Sequence, residues 1–155
     1  MSDFHFRDAT PDDISTILEL THAGDWRGAD TPPLDRDSFA DPRYRQAFDA
    51  ISASRDQRLI VMEKGEEVIG TLQITFIPGL TQFGMWRGLL ENVHVRPDQR
   101  GTGNGTKLVN WAIEQCRSRG CGMVQLTSNK ARIDTHRFYE GLGFAKSHEG
   151  FKLML

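Results

Sequence analysis

The sequence predicts an α+β fold with a mixed, mostly antiparallel sheet flanked by helices. Two observations give that class. Arg58–Glu63 and Val68–Phe76 are rich in β-branched and aliphatic residues and flank Lys64-Gly65-Glu66-Glu67, which makes them an antiparallel hairpin. Further on, a strand-like run from Leu89 to Val95 leads past Pro97 through a glycine-rich stretch into a helical pattern. A length of 155 residues is close to the commonest domain size, so residues 1–155 are expected to form one domain.

The elements follow in order. Phe4-His5-Phe6-Arg7 reads as a short first strand. Thr10-Pro11-Asp12-Asp13 then starts a helix, with Thr as cap and Pro in the first turn, running to about Thr21. Between Gly24 and Pro42 the chain is rich in Asp, Gly, Pro and Arg without sustained periodicity and reads as a loop or short irregular helix, followed by a helix from about Tyr44 to Ala53. The hairpin comes next, and Glu91 to Val95 lie in a third long strand. From Lys107 onward, Leu108, Trp111, Ala112, Ile113 and Cys116 recur at helical spacing, and Gly120 stops the helix. A strand near Met123 to Thr127, a short helix ending at Tyr139, and two final strands near Ala145-Lys146 and Phe151–Leu155 complete the reading.

Composition narrows the function. A formal charge of −2 with mixed signs and no run of Lys or Arg gives no electrostatic footprint for nucleic acid. No apolar stretch approaches the roughly 18 residues that span a bilayer, and Met1-Ser2-Asp3-Phe4-His5 lacks a signal-peptide pattern, so a soluble cytoplasmic protein is expected. Cys116 and Cys121 lack metal-type spacing and read as free thiols, Cys116 on the apolar helix face.

Chemistry concentrates in Arg100-Gly101-Thr102-Gly103-Asn104-Gly105-Thr106. Three glycines in five residues let the main chain approach an anion closely, and the helix that follows adds its unsatisfied N–H groups and the positive end of its dipole. That is the physics of a pyrophosphate site. A Walker loop would need Gly-Lys-Ser/Thr after four residues, but the fifth residue after Gly101 is Thr106. A dinucleotide fingerprint is also poor: Gly101 and Gly103 are followed by Thr106, and no acid ends the next strand.

Arg100-x-x-Gly103-x-Gly105 does fit Arg/Gln-x-x-Gly-x-Gly/Ala, and so resembles the acyl-CoA pyrophosphate loop of the GNAT superfamily of N-acetyltransferases. His136-Arg137-Phe138-Tyr139-Glu140-Gly141-Leu142-Gly143-Phe144 resembles that family's later segment, where a tyrosine meets the cofactor thiol, and Asn129 is similar to an asparagine used near the pantetheine arm. The resemblance covers nearly the whole chain. From His136 to Lys152 it is also local to aminoalkylphosphonate N-acetyltransferases, which suggests a small amine with an anionic tail.

The resemblance implies a GNAT-type sheet, acetyl-CoA as cosubstrate and direct transfer to a primary amine of a small molecule in a ternary complex, with no metal and no covalent nucleophile. It implies N–H groups of Val93, His94 and Val95 on the pantetheine and thioester, and Arg100, Gly101, Thr102, Gly103, Asn104, Gly105 and Thr106 around the pyrophosphate. Tyr139 becomes the general acid for the leaving thiol and Glu91 the base, with His94 competing. Strand parity puts Glu91, Val93 and Val95 on one face and Asn92 and His94 on the other, unless a bulge intervenes.

Weaker acceptor-pocket candidates are Trp26, Trp86, Arg87, His136 and His148. Two rivals stand beside this reading: a non-catalytic acyl-CoA sensor, and an enzyme acting on a protein N-terminus or lysine. The latter needs an open groove, over which the Pro78–Gly84 connection could fold. A homodimer is a habit of similar proteins.

Overall fold

The computed structural model describes residues 3–25 and 27–155. Its elements are β1 (Phe4–Asp8), α1 (Ile14–Ala23), α2 (Pro42–Ala53), β2 (Gln57–Lys64), β3 (Glu67–Ile77), a short turn α3 (Thr81–Gly84), β4 (Arg87–Val95), α4 (Asn104–Ser118), β5 (Met123–Gln125) and α5 (Ile133–Gly141). The strands lie in sequence order, antiparallel except for β4 and β5, which run parallel. A parallel pair needs a crossover, and α4 supplies it. The expected α+β class and mostly antiparallel sheet are what the chain forms.

Two helical layers enclose the sheet. On one face Leu108, Val109, Ala112 and Cys116 of α4 pack on Ile60, Met62, Leu72, Ile74 and Leu90, all buried. Phe6 stacks on Trp111 at 5.0 Å between ring centroids on this side. On the other face α1 and α2 bury Leu20 and Phe48. The entry to α1 is tied down where Asp13 accepts the N–H of Thr10 at 2.7 Å and an Arg7 guanidinium N–H at 2.7 Å.

Most boundaries fall near their expected places, and three differ. α4 begins at Asn104, because Gly103 takes the left-handed conformation (φ 83°) and turns the chain into the helix. β5 ends at Gln125 rather than Thr127, since its pairing with β4 stops at Leu89↔Gln125. The two final strands are absent: residues 144–155 carry no strand. An alternating pattern supplies a face but not a partner edge, and Phe151–Leu155 has none in the single chain.

Pro78–Gly84 stands out at the end of β4 remote from the glycine loop, with Leu80 and Phe83 fully exposed. Among the described residues no helix is long and apolar enough to cross a membrane. Both cysteines are free, and burial pushes the Cys116 thiol up to about 11.

Candidate active site

The site is built on an irregularity in β4. Gln73 lies opposite Glu91 and Thr71 opposite His94, so three steps on β4 match two on β3. The extra residue falls at Asn92–Val93, where Asn92 takes φ 51°. Thr71 and Gln73 point the same way, so the bulge puts Glu91 and His94 on one face, the side of α1 and α2. The unbulged parity, which separates them, does not hold. Beyond the bulge β4 and the chain after β5 part, and their facing edges open a wedge toward the glycine loop.

At the mouth of that wedge the N–H groups of Gly101, Thr102, Gly103, Asn104, Gly105 and Thr106 meet no backbone or side-chain acceptor among the described residues. Gly101 and Gly103 have φ of 73° and 83°, and a Cβ on either would touch nothing within 4 Å. A row of unpartnered donors at the start of a 15-residue helix fits the pyrophosphate of a CoA ester. Side chains shape this loop from behind. Thr102 Oγ1 and Asn104 Nδ2 both donate to the carbonyl of Gln99, at 3.0 and 3.1 Å, and Asn104 is buried. Arg100 donates to the carbonyls of Val95 (2.9 Å) and Ala23 (3.5 Å). Its guanidinium thereby braces the end of β4 against the end of α1.

His94 is half-buried against that same junction. A Cβ on Gly24 would collide with the His94 ring, so only glycine allows this approach. Burial, with Arg132 and Arg100 nearby, pushes the imidazolium down to about 4, so the ring is neutral near neutral pH. Glu91 is exposed and makes no ion pair among the described residues.

α5 sets Phe138 against the start of α4, with Phe138 Cζ 3.4 Å from where a Cβ on Gly105 would stand, and carries Tyr139 beside it. Its ring stands edge-on to Phe138 at 5.1 Å and Phe144 at 5.6 Å, and its hydroxyl has no hydrogen-bond partner among the described residues. Burial raises its pKa, against a smaller opposing effect of Arg132. Asn129 is exposed, and its Oδ1 accepts the N–H of Ala131 at 2.9 Å, leaving its amide N–H groups free. His136 Nε2 donates to the Asn129 carbonyl at 2.8 Å, while His136 Nδ1 and Ser128 Oγ are buried without a partner.

His136, a weak acceptor-pocket candidate in the sequence, is thus a support for the Asn129 loop. Arg132 has no salt-bridge partner among the described residues, whereas Arg7, Arg36, Arg58, Arg96 and Arg119 each have a carboxylate. Sequence reasoning passed over Arg132, for nothing in its local pattern distinguishes it from a surface cation. A cavity of about 290 Å³ lined by Thr21, His22, Asp25, Arg27 and Tyr44, among others, shares no residue with the wedge. Trp26 lies outside the described residues.

Residues 23–144 match the Acetyltransferase (GNAT) family, which decides the assignment. The chain belongs to that family. As a GNAT protein it is an N-acetyltransferase, and its relatives agree. It is 28% identical over 148 residues to the aminoalkylphosphonate N-acetyltransferase of Salmonella typhimurium, covering 90% of this chain and 93% of that one. It is 30% identical to the glucosamine 6-phosphate N-acetyltransferase of Trypanosoma brucei brucei, over 95% and 92% of the two chains. Among solved structures, a protein of Bacillus halodurans described as a transcriptional regulator superposes with a TM-score of 0.88. It shares 40% identity and covers 99% of this GNAT chain and 100% of its own.

Proposed function

We propose that this enzyme moves an acetyl group from acetyl-CoA to the primary amine of a small molecule that also bears an acidic group, by direct transfer in a ternary complex. The row of free N–H groups from Gly101 to Thr106, with Phe138 Cζ 3.4 Å from where a Cβ on Gly105 would stand and Tyr139 next to it in α5, carries this reading. When bound, acetyl-CoA supplies an activated acyl group on a thiol leaving group.

The chain's own groups then have distinct tasks. The loop amides hold the pyrophosphate, while the bulged main chain at Val93 to Val95 and the free amide of Asn129 line the path of the pantetheine. Tyr139, kept protonated by burial, donates its proton to the departing sulfur. Glu91 accepts the proton of the ammonium group, directly or through water. His94 serves this step poorly, because a ring whose conjugate acid lies at about 4 gives up a captured proton readily. Its neutral ring is suited instead to positioning.

Arg132 is the group for the acceptor's acidic end, for it lacks a carboxylate and its charge is felt by both His94 and Tyr139. The names of the Salmonella and Trypanosoma relatives support this, since an aminoalkylphosphonate and glucosamine 6-phosphate both join an amine to an acidic phosphorus group.

The test is CoA-thiol release against aminoalkylphosphonates, amino-sugar phosphates and amino acids beside their neutral analogues, with products confirmed by mass. Anionic acceptors should be preferred, and Arg132→Ala should raise their KM without changing acetyl-CoA affinity. Equal turnover on neutral analogues removes the acidic group from the assignment. Tight acetyl-CoA binding with no acetylated product from any acceptor, small or peptide, overturns it in favour of a sensor, the role suggested by the description of the Bacillus protein.

A further inference from the structure

The two faces of β3 and β4 are not covered alike. Toward α4, Leu72, Ile74, Phe76 and Leu90 are buried, and Gly88 sits so close to the helix that a Cβ there would collide with Cys116 Sγ. The residues between them point the other way. On that side Gln73, Thr75, Arg87 and Leu89 are only half-buried and Glu91 is exposed, for α2 lies on β2 and the end of α1 reaches β4 at His94.

This open strip carries a carboxylate and a guanidinium on one strand. Arg87 precedes Glu91 by four residues, a span of about 13 Å along a strand. Leu89 lies between them, and its pairing with Gln125 closes the wedge between β4 and β5. Arg87 is therefore on the side of Glu91 away from His94 and the glycine loop.

Arg87 is also short of a partner. Its Nε is buried without a hydrogen-bond acceptor among the described residues. A donor on a charged group left in this state is costly. Its neighbours across the strands do not relieve it, because Ile77 and Met123 are both apolar.

We infer that Arg87 is a specificity-determining residue that binds a second acidic group of the acceptor, at the end remote from the cofactor. The inference rests on the acceptor reading given above, with the amine at Glu91 and a first acidic group at Arg132. The preferred acceptor is then an amine with acidic groups on both sides, such as an amino acid whose side chain ends in a carboxylate or a phosphonate. An acidic group lying in the strip draws the Arg87 guanidinium to it and is held by two parallel N–H bonds, which also gives the orphaned donor its acceptor.

The test compares acetylation of aminoalkylphosphonates with that of the same molecules bearing an added carboxylate on the amine-carrying carbon, in a series of chain lengths. In the parent the second acidic group should lower KM by about tenfold or more at the fitting length. Arg87→Ala should bring the KM ratio of the two acceptors to near one with little change in the ratio of their kcat values, and Arg87→Lys, which keeps the charge without the fork, should retain part of the gain. Should Arg87→Ala not fold, Arg87→Gln replaces it. A parent indifferent to the second acidic group at every length, or an uncharged variant that keeps the full gain, overturns the inference. So does a variant that loses Tm and weakens both acceptors alike, which marks Arg87 as packing. A parent that prefers monoacidic amines over neutral ones but gains nothing from the second group refutes this inference alone; one that is silent on every acceptor, or turns over neutral amines equally well, refutes the proposed acceptor with it.

Discussion

Gly103 and Gly120 make a matched pair for testing the pyrophosphate loop. Both are left-handed, at φ 83° and 86°, and a Cβ on either would meet nothing within 4 Å. They bracket one helix: Gly103 precedes α4 among the unpartnered amides, while Gly120 follows its far end. Forcing an alanine into this conformation costs roughly 1–2 kcal/mol, with no packing cost at either place. Gly103→Ala and Gly120→Ala should therefore lose similar stability, lowering Tm by about 2–8 °C for a chain of this length. Their acetyl-CoA affinities should separate. Gly103→Ala strains the backbone that aims the donors and adds a methyl group among them, so calorimetric titration should give a loss of about tenfold or more, equivalent to about 1.4 kcal/mol. Gly120→Ala should bind as the parent does. Equal affinity in the two variants would refute the loop as the cofactor grip, and a large difference in their Tm values would refute the strain argument.

Tyr139→Phe should lower turnover by about tenfold or more, while changing stability by less than about 0.5 kcal/mol, because the lost hydroxyl has no protein partner; unchanged turnover across pH would leave Tyr139 a packing residue. His94 gives a pH signature. Its folded pKa, about 4, lies below the unfolded value of about 6.5, so the unfolded chain binds the proton first and stability falls as pH drops from about 6.5 toward 4. Between pH 7 and 5 this loss is about 2 kcal/mol, and denaturant titrations of His94→Gln should lack that share of it; identical pH slopes would show an unperturbed ring. Leu108→Ala should cost about 2–5 kcal/mol in urea unfolding, since Leu108 is fully buried between α4 and the sheet, and a loss below about 1 kcal/mol would contradict that packing.

The parts of this molecule that were legible in its sequence are those dictated by local physics. The Lys64–Glu67 turn, the helical period from Leu108 to Cys116 and the glycines around Thr102 each act within a few residues, and the structure has all three. The site was legible only as far as it is made of backbone: glycine spacing signals a phosphate loop because no other residue permits the conformation. The brace that Arg100 makes to the carbonyls of Val95 and Ala23 was not legible, because a guanidinium beside a phosphate loop and one bracing two carbonyls share the same letters. Arg132, proposed above for the acceptor's acidic end, was not legible because its position near His94 and Tyr139 is a long-range property. Phe151–Leu155 was read as a strand, but a strand also needs an edge, and the single chain does not bring one to it.

The bulge at Asn92–Val93 joins the two halves of the site. Without the extra residue, Glu91 and His94 would face opposite helical layers and the strand would stay in register with β3. With it, both turn toward α1, whose last turn is held from two directions: the His94 ring lies on Gly24, and Arg100 reaches the carbonyl of Ala23 from the head of the glycine loop. The end of α1 is thus fastened at once to the strand that carries Glu91 and to the head of the glycine loop. In this chain β4 and the glycine loop therefore both reach the end of α1 beside a single glycine, Gly24, required for the closeness of a histidine ring rather than for any catalytic act of its own.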